Sequence, residues 1–212
     1  MLLLLAAALL VAAPGVLALQ FEREAVSQYA ERQFGKDGGR RLNQWFSSLD
    51  RLAKESEPRT LLEGVNKFWN NTVREAEDIK DWRREDYWAT PLETLGRGMG
   101  DCEDFVIGKY FSLVHLGVPP EKLRLIYVRA QVDGKSVAHM VLGYYDSPEA
   151  EPLILDNLEH AIRPASRRRD LTPVFSFNAD GVYVRGGHSG GVERITRWQE
   201  VLSRMRQEGF SP

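Results

Sequence analysis

The stretch Gly96-Arg97-Gly98-Met99-Gly100-Asp101-Cys102-Glu103-Asp104 decides the reading of this chain. Three glycines allow a tight turn and close approach of another backbone. The segment that follows has Phe105, Val106, Tyr110, Leu113 and Val114 at the spacing of a buried helix. Gly117 closes that helix, and Pro119-Pro120 prevents its continuation. A loop therefore delivers Cys102 to the first turn of a helix, with Asp101 as its N-cap. Unpaired backbone N–H groups and the helix dipole favour negative charge there. Free cysteine ionises near pH 8.5, and this position predicts a lower value for Cys102. The Cys102 N–H would face a reacting carbonyl as an oxyanion donor.

Upstream, 81–95 is polar and aromatic, with Trp82, Tyr87 and Trp88, and reads as a loop. Leu61, Leu62, Val65, Phe68 and Trp69 mark a helix after Pro58. Leu42, Trp45, Phe46, Leu49 and Leu52 mark another, separated from a first helical stretch by Gly35-Lys36-Asp37-Gly38-Gly39. These aromatic stripes are core. Asn70-Asn71-Thr72 matches a glycosylation sequon, a pattern common by chance.

Downstream the period changes. Leu123 to Gln131 and Val137 to Tyr145 read as strands around a Val132-Asp133-Gly134-Lys135 turn. Pro152 to Asp156 is a third strand. Pro173 to Phe177 and Val182 to Arg185 form a hairpin around Asn178-Ala179-Asp180-Gly181, and Thr196 to Glu208 is a closing helix. Helices followed by consecutive antiparallel strands predict an α+β fold. The run Arg167-Arg168-Arg169, followed by Asp170, reads as a solvated loop.

The chain has 212 residues, 43% hydrophobic and 27% charged, with a formal net charge of -2. That balance suits one globular domain and argues against a general nucleic-acid binder. Met1 to Leu19 carries no charged residue, and Pro14-Gly15 breaks its apolar run ahead of Val16-Leu17-Ala18. The expectation is a secretory signal over 1–18, cleaved after Ala18, and a single domain over 19–212. An uncleaved anchor is the rival reading, since the run approaches the ~20 residues of a spanning helix. Cys102 is the only cysteine, so it forms no intramolecular disulfide. In an exported protein such a thiol is either a buried, inert core residue or one kept for chemistry.

A cysteine nucleophile needs a base and a group that orients the base. Of four histidines, His115 lies about three and a half turns along the Cys102 helix and is out of reach. His188 sits among glycines and His160 in a polar loop. His139 lies within a strand. If that strand turns back between Ser147 and Pro148, His139 stands directly opposite Asp156, with Cβ atoms roughly 5 Å apart. The carboxylate can then accept from the imidazole and fix its tautomer. A bulge or a shifted turn would break this register.

The segments Tyr87-Trp88-Ala89-Thr90-Pro91, Gly98 to Phe105, Ala138-His139-Met140-Val141-Leu142 and Leu155-Asp156-Asn157 resemble those of the bacterial transglutaminase-like cysteine peptidases. The resemblance covers about residues 40 to 210. It implies a papain-like or transglutaminase-like core, N-terminal helices packed on an antiparallel sheet, and Cys102, His139 and Asp156 as nucleophile, base and orienter. It implies calcium dependence, with Asp101 and Glu103 as ligands and Asp104 as a third. Three carboxylates in four residues suit a hard cation; equally, Asp101 and Asp104 suit helix capping. No zinc-ligand spacing is present. Trp88 is expected as a second oxyanion donor from its place in the approach loop. The family's setting implies a periplasmic peptidase that cleaves the N-terminal region of a large surface adhesin. It also implies restraint by an inner-membrane receptor for cyclic di-GMP. A transglutaminase-type acyltransferase and a non-catalytic calcium-binding module are the alternatives.

Overall fold

Gly35, with φ 72° and ψ -177°, interrupts the helical backbone of α1 (Arg23–Leu52). Glycine reaches that conformation without a Cβ penalty, so two helices meet there at a kink; the break is Gly35 alone, and 36–39, expected to separate the two stretches, are helical. The computed structural model describes residues 19–76, 82–84, 86–179, 181–184 and 187–211. The expected signal segment, 1–18, lies outside them. Among the described residues no helix is long and apolar enough to cross a membrane.

The predicted stripe of α1 is buried at Leu42, Trp45, Phe46, Leu49 and Leu52. Helix α2 (Pro58–Thr72) buries Leu61, Leu62, Val65 and Trp69, with Pro58 preset for the first turn. A further helix, α3 (Pro91–Arg97), stands where the sequence reads as loop. Thr90 caps it in a reciprocal capping box with Glu93, Pro91 begins it, and Gly98 ends it at φ 70°. Arg41 of α1 donates to the carbonyls of Leu95 and Gly96 at 2.5 and 2.6 Å, satisfying the end of α3. Short strands β2 (Arg74–Glu75) and β3 (Met99–Gly100) pair in parallel and lead into α4 (Cys102–His115).

Helix α4 is buried on nearly every side, from Glu103 to Val114. Gly108 lets Trp69 lie against its backbone; a Cβ there would meet the indole ring at 2.3 Å. Four residues on, the Ser112 hydroxyl accepts the indole N–H groups of Trp45 and Trp69 at 2.8 and 2.9 Å. It donates in turn to the Gly108 carbonyl at 2.7 Å. One oxygen thus satisfies two buried donors and joins α1, α2 and α4.

The sheet supplies the other layer. Strands β4 (Leu123–Val132) and β5 (Lys135–Tyr144) form a hairpin whose central residues Asp133 and Gly134 have φ 50° and 75°. That two-residue turn matches the twist of paired strands. With β6 (Leu153–Leu155), β7 (Arg163–Pro164), β8 (Leu171–Asn178), β9 (Gly181–Val184) and β10 (Gly187–Gly190), they form a seven-stranded antiparallel sheet, ordered β10-β9-β8-β4-β5-β6-β7. Leu125, Met140, Leu142, Leu155 and Phe177 pack toward the helices. Helix α5 (Thr196–Gln207) adds Trp198, Val201 and Met205 to that core. Strands β1 (Gln20–Phe21) and β11 (Phe210–Ser211) pair antiparallel with each other. The α+β class holds, with helices against an antiparallel sheet.

Candidate active site

Asp101 caps α4 through a capping box with Asp104. Asp104 is fully buried, and its carboxylate accepts from the backbone N–H of Ala89 at 2.7 Å and of Asp101 at 3.4 Å. These bonds tie the loop before α3 to the start of α4 and fix where Cys102 emerges. Gly100 is needed beside them, because a Cβ there would meet the Asp104 carboxylate at 2.7 Å.

Cys102 is half-buried, and its thiol donates to Glu103 Oε2 at 3.1 Å. Burial, the Glu103 carboxylate and the Asp101 carboxylate push the thiol well above its ordinary value; a Met140 backbone hydrogen bond opposes them. The lowered value expected from the helix start is therefore not realised. Desolvation and two flanking negative charges outweigh the helix terminus. The Met140 contact also places the sulfur against β5, one residue from His139.

His139 is buried in β5, and its Nε2 lies 2.8 Å from Asp156 Oδ1. The register that brings them together differs from the predicted one. Leu142 faces Leu155 and Gly143 faces Ile154, so the turn is centred one residue later, between Pro148 and Glu149. Asp156, just beyond β6, is then a diagonal rather than a direct neighbour of His139. A slip of two residues keeps both side chains on one face, so the predicted pair still meets.

Asp156 is 1% exposed. Burial alone would raise its pKa, but hydrogen bonds from His139, Arg168 and the Leu158 backbone prevail and hold it at about 2. Oδ1 takes His139 and Leu158 N–H; Oδ2 takes Arg168 Nη2 at 2.7 Å. An ionised carboxylate only accepts, so His139 Nε2 carries the proton and Nδ1 is left free of one in the neutral ring. The Asp156 carbonyl accepts from Asn70 Nδ2 at 2.8 Å, which gives that sequon asparagine a structural task. Lys109, within electrostatic reach of Asp156, is fully buried and without a hydrogen-bond partner among the described residues. Its burial lowers the ammonium to about 7, against the pull of Asp156.

Two expectations are corrected. Asp101, Cys102 and Glu103 bring ligand atoms within 4.8 Å of one another, but Asp104 does not join them. Its carboxylate is turned inward onto backbone N–H groups. Trp88 is 2% exposed, its ring stacks on Phe177, and its indole N–H donates to Asp86 at 3.1 Å. That donor is committed, so the arrangement does not offer Trp88 to an oxyanion. Arg168 and Asn70 were missed. No periodicity marks either, although an aspartate after the apolar run 153–155 does signal that buried partners must exist. Of the other histidines, His115 binds the Leu19 carbonyl at 2.8 Å, and His160 is exposed.

Residues 41–169 match the family model of the bacterial transglutaminase-like cysteine proteinases. The chain belongs to that family. It is therefore a cysteine peptidase, and Cys102 is its only cysteine. Among solved structures, this transglutaminase-like peptidase is similar to Legionella pneumophila LapG, at 38% identity and a TM-score of 0.75, over 87% of this chain and 96% of that one. It matches EGTA-treated LapG from the same organism at 38% identity and 0.76, over 89% and 100%. Calcium-bound LapG matches at 38% and 0.74, over 87% and 99%. A search of curated proteins finds no match.

Proposed function

We propose that this peptidase is a calcium-dependent endopeptidase with Cys102 as nucleophile, His139 as base and Asp156 as the group that orients the base. The observation that supports it is the buried His139–Asp156 pair at 2.8 Å beside the strand backbone that the Cys102 sulfur contacts. With Nε2–H held by Asp156, the imidazole accepts the thiol proton at Nδ1. The thiolate attacks the peptide carbonyl, the Cys102 N–H receives the developing oxyanion, and the imidazolium returns its proton to the leaving amine. Water, deprotonated by the same ring, hydrolyses the thioester and restores the thiol.

Asp101 and Glu103 are the residues that would hold calcium. Their carboxylate oxygens suit a hard cation, while the adjacent thiol suits it poorly. A bound cation would supply positive charge beside a thiol that burial, and then these two carboxylates, keep protonated. Calcium-bound and EGTA-treated forms of the LapG structures support this reading.

The substrate in this reading is the N-terminal region of a large surface adhesin, cut in the periplasm after removal of 1–18. An inner-membrane receptor for cyclic di-GMP restrains the enzyme. The test is incubation of the mature chain with the N-terminal segment of such an adhesin from the same organism. Cleavage is expected with calcium, and none with EGTA or in Cys102→Ala. Full cleavage by Cys102→Ala overturns the scheme, and indifference to EGTA removes the metal. Incorporation of an added amine without chain cleavage selects a transglutaminase-type acyltransferase instead.

A further inference from the structure

The run Arg167-Arg168-Arg169 reads as a solvated loop, yet only its outer members are exposed, while Arg168 is 5% exposed. Its guanidinium enters the interior and binds the Asp156 oxygen that His139 does not use, at 2.7 Å. The same guanidinium grips Asp170, Nε to Oδ1 at 3.0 Å and Nη2 to Oδ2 at 2.7 Å. Asp170 is anchored in turn, since its backbone carbonyl accepts from Gln131 N–H at 2.9 Å at the end of β4.

We infer that Arg168 is a positioning residue for the Cys102 chemistry: it clamps the second oxygen of Asp156 so that the first faces His139. The inference rests on the catalytic reading of Cys102, His139 and Asp156. A carboxylate is free to rotate about its Cα–Cβ and Cβ–Cγ bonds unless both oxygens are held. Here one oxygen orients the imidazole while accepting from Leu158 N–H at 3.0 Å, and the other is fixed by a planar fork, itself fixed by Asp170. Arginine suits the place because its donors diverge at set angles and it keeps its charge when buried. Among the described residues, the titratable and charged groups facing Asp156 are His139 from β5, Lys109 from α4, and Arg168 with Asp170 from the segment before β8. Lys109 makes no hydrogen bond to Asp156 and cannot replace the clamp.

The test compares the full mature chain with Arg168→Met, Arg168→Lys and Asp170→Asn, in calcium, on the adhesin N-terminal segment. Nitrogen-15 NMR of labelled histidine reads the His139 tautomer, with His139→Gln giving the assignment. Losing a group that orients a catalytic side chain costs about 10- to 100-fold in rate. Arg168→Met is expected to lower kcat by that factor with KM within about twofold of the parent, and to lose the single Nε2–H tautomer. Arg168→Lys should recover part of both. A folded Arg168→Met chain with parental kcat and tautomer overturns the inference. Should that variant not fold, Asp170→Asn decides, because it frees the outer side of the guanidinium without touching Asp156. A lower kcat at parental Tm supports the clamp, and parental kcat and tautomer overturn it. Activity in Cys102→Ala would sink the catalytic reading, while the tautomer still judges the clamp separately.

Discussion

Glu208 should weaken the fold at neutral pH, and Glu208→Gln should strengthen it. The side chain lies at the end of α5, 6% exposed, where its Oε1 accepts from the Thr90 hydroxyl at 2.7 Å. Burial, and secondly the negative charge of Glu93, raise its pKa from 4.5 to about 8. The folded chain therefore holds a proton there that the unfolded chain has released. Stability falls as pH rises through the window between 4.5 and about 8, because the native state binds more protons across it. At pH 7 the unfolded carboxyl is about 2.5 pH units past its midpoint, and each unit is worth about 1.4 kcal/mol, so the cost is about 3 kcal/mol. Glutamine keeps an oxygen for Thr90 and places its amide nitrogen where Oε2 already lacks a partner among the described residues. The titration disappears and the hydrogen bond stays. At this chain length 1 kcal/mol moves Tm by roughly 2–4 °C, so Glu208→Gln should melt about 6–12 °C higher at pH 7. Near pH 4 the two chains should melt together. Calorimetry at pH 4, 5.5 and 7 checks this. An increment that does not vary with pH, or no increment at pH 7, refutes the reasoning.

Ser112→Ala leaves two buried indole N–H groups without their acceptor and should cost about 2–4 kcal/mol in urea unfolding; a loss below about 0.5 would show that water replaces the hydroxyl. Gly108→Ala drives a methyl group into Trp69 and should destabilise by about 1–3 kcal/mol despite its better helix propensity, so an unchanged or raised urea midpoint would contradict the packing. Asp156 ionises at about 2 in the folded chain and at 3.8 unfolded, so its contribution is complete above about pH 4 and lost as pH falls toward 2. The parent should lose about 2 kcal/mol over that interval that Asp156→Asn does not lose, read from urea midpoints at each pH.

Much of this was legible because apolar periodicity is the strongest signal a sequence carries. The stripes of α1 and α2, the Asp133-Gly134 hairpin and the helix after Cys102 all follow from it. The missed helix α3 had its own signature in Thr90-Pro91-Leu92-Glu93, a capping box with proline at the first position. The glycines that follow outweighed it, although Gly98 is in fact its terminator. The β5–β6 register was placed two residues off because alternation has period two. A slip of two leaves every side chain on its face, so the pattern holds no information about it. Arg168 was hidden for another reason. Three consecutive arginines look alike in sequence, and only the path of the chain into β8 turns the middle one inward. The state of Cys102 depended first on the burial of its sulfur and then on the direction of its neighbour's side chain. Glu103 folds back onto the sulfur, and no spacing rule reports that.

The hydroxyl shared by Trp45 and Trp69 makes the peptidase its own optical gauge. Two of its five tryptophans, Trp45 of α1 and Trp69 of α2, bind with their indole N–H groups to one oxygen of the helix that presents Cys102. Any withdrawal of that helix from its seat must release both indoles together. A shift of their emission would then signal displacement of the sulfur without a label, a substrate or a turnover.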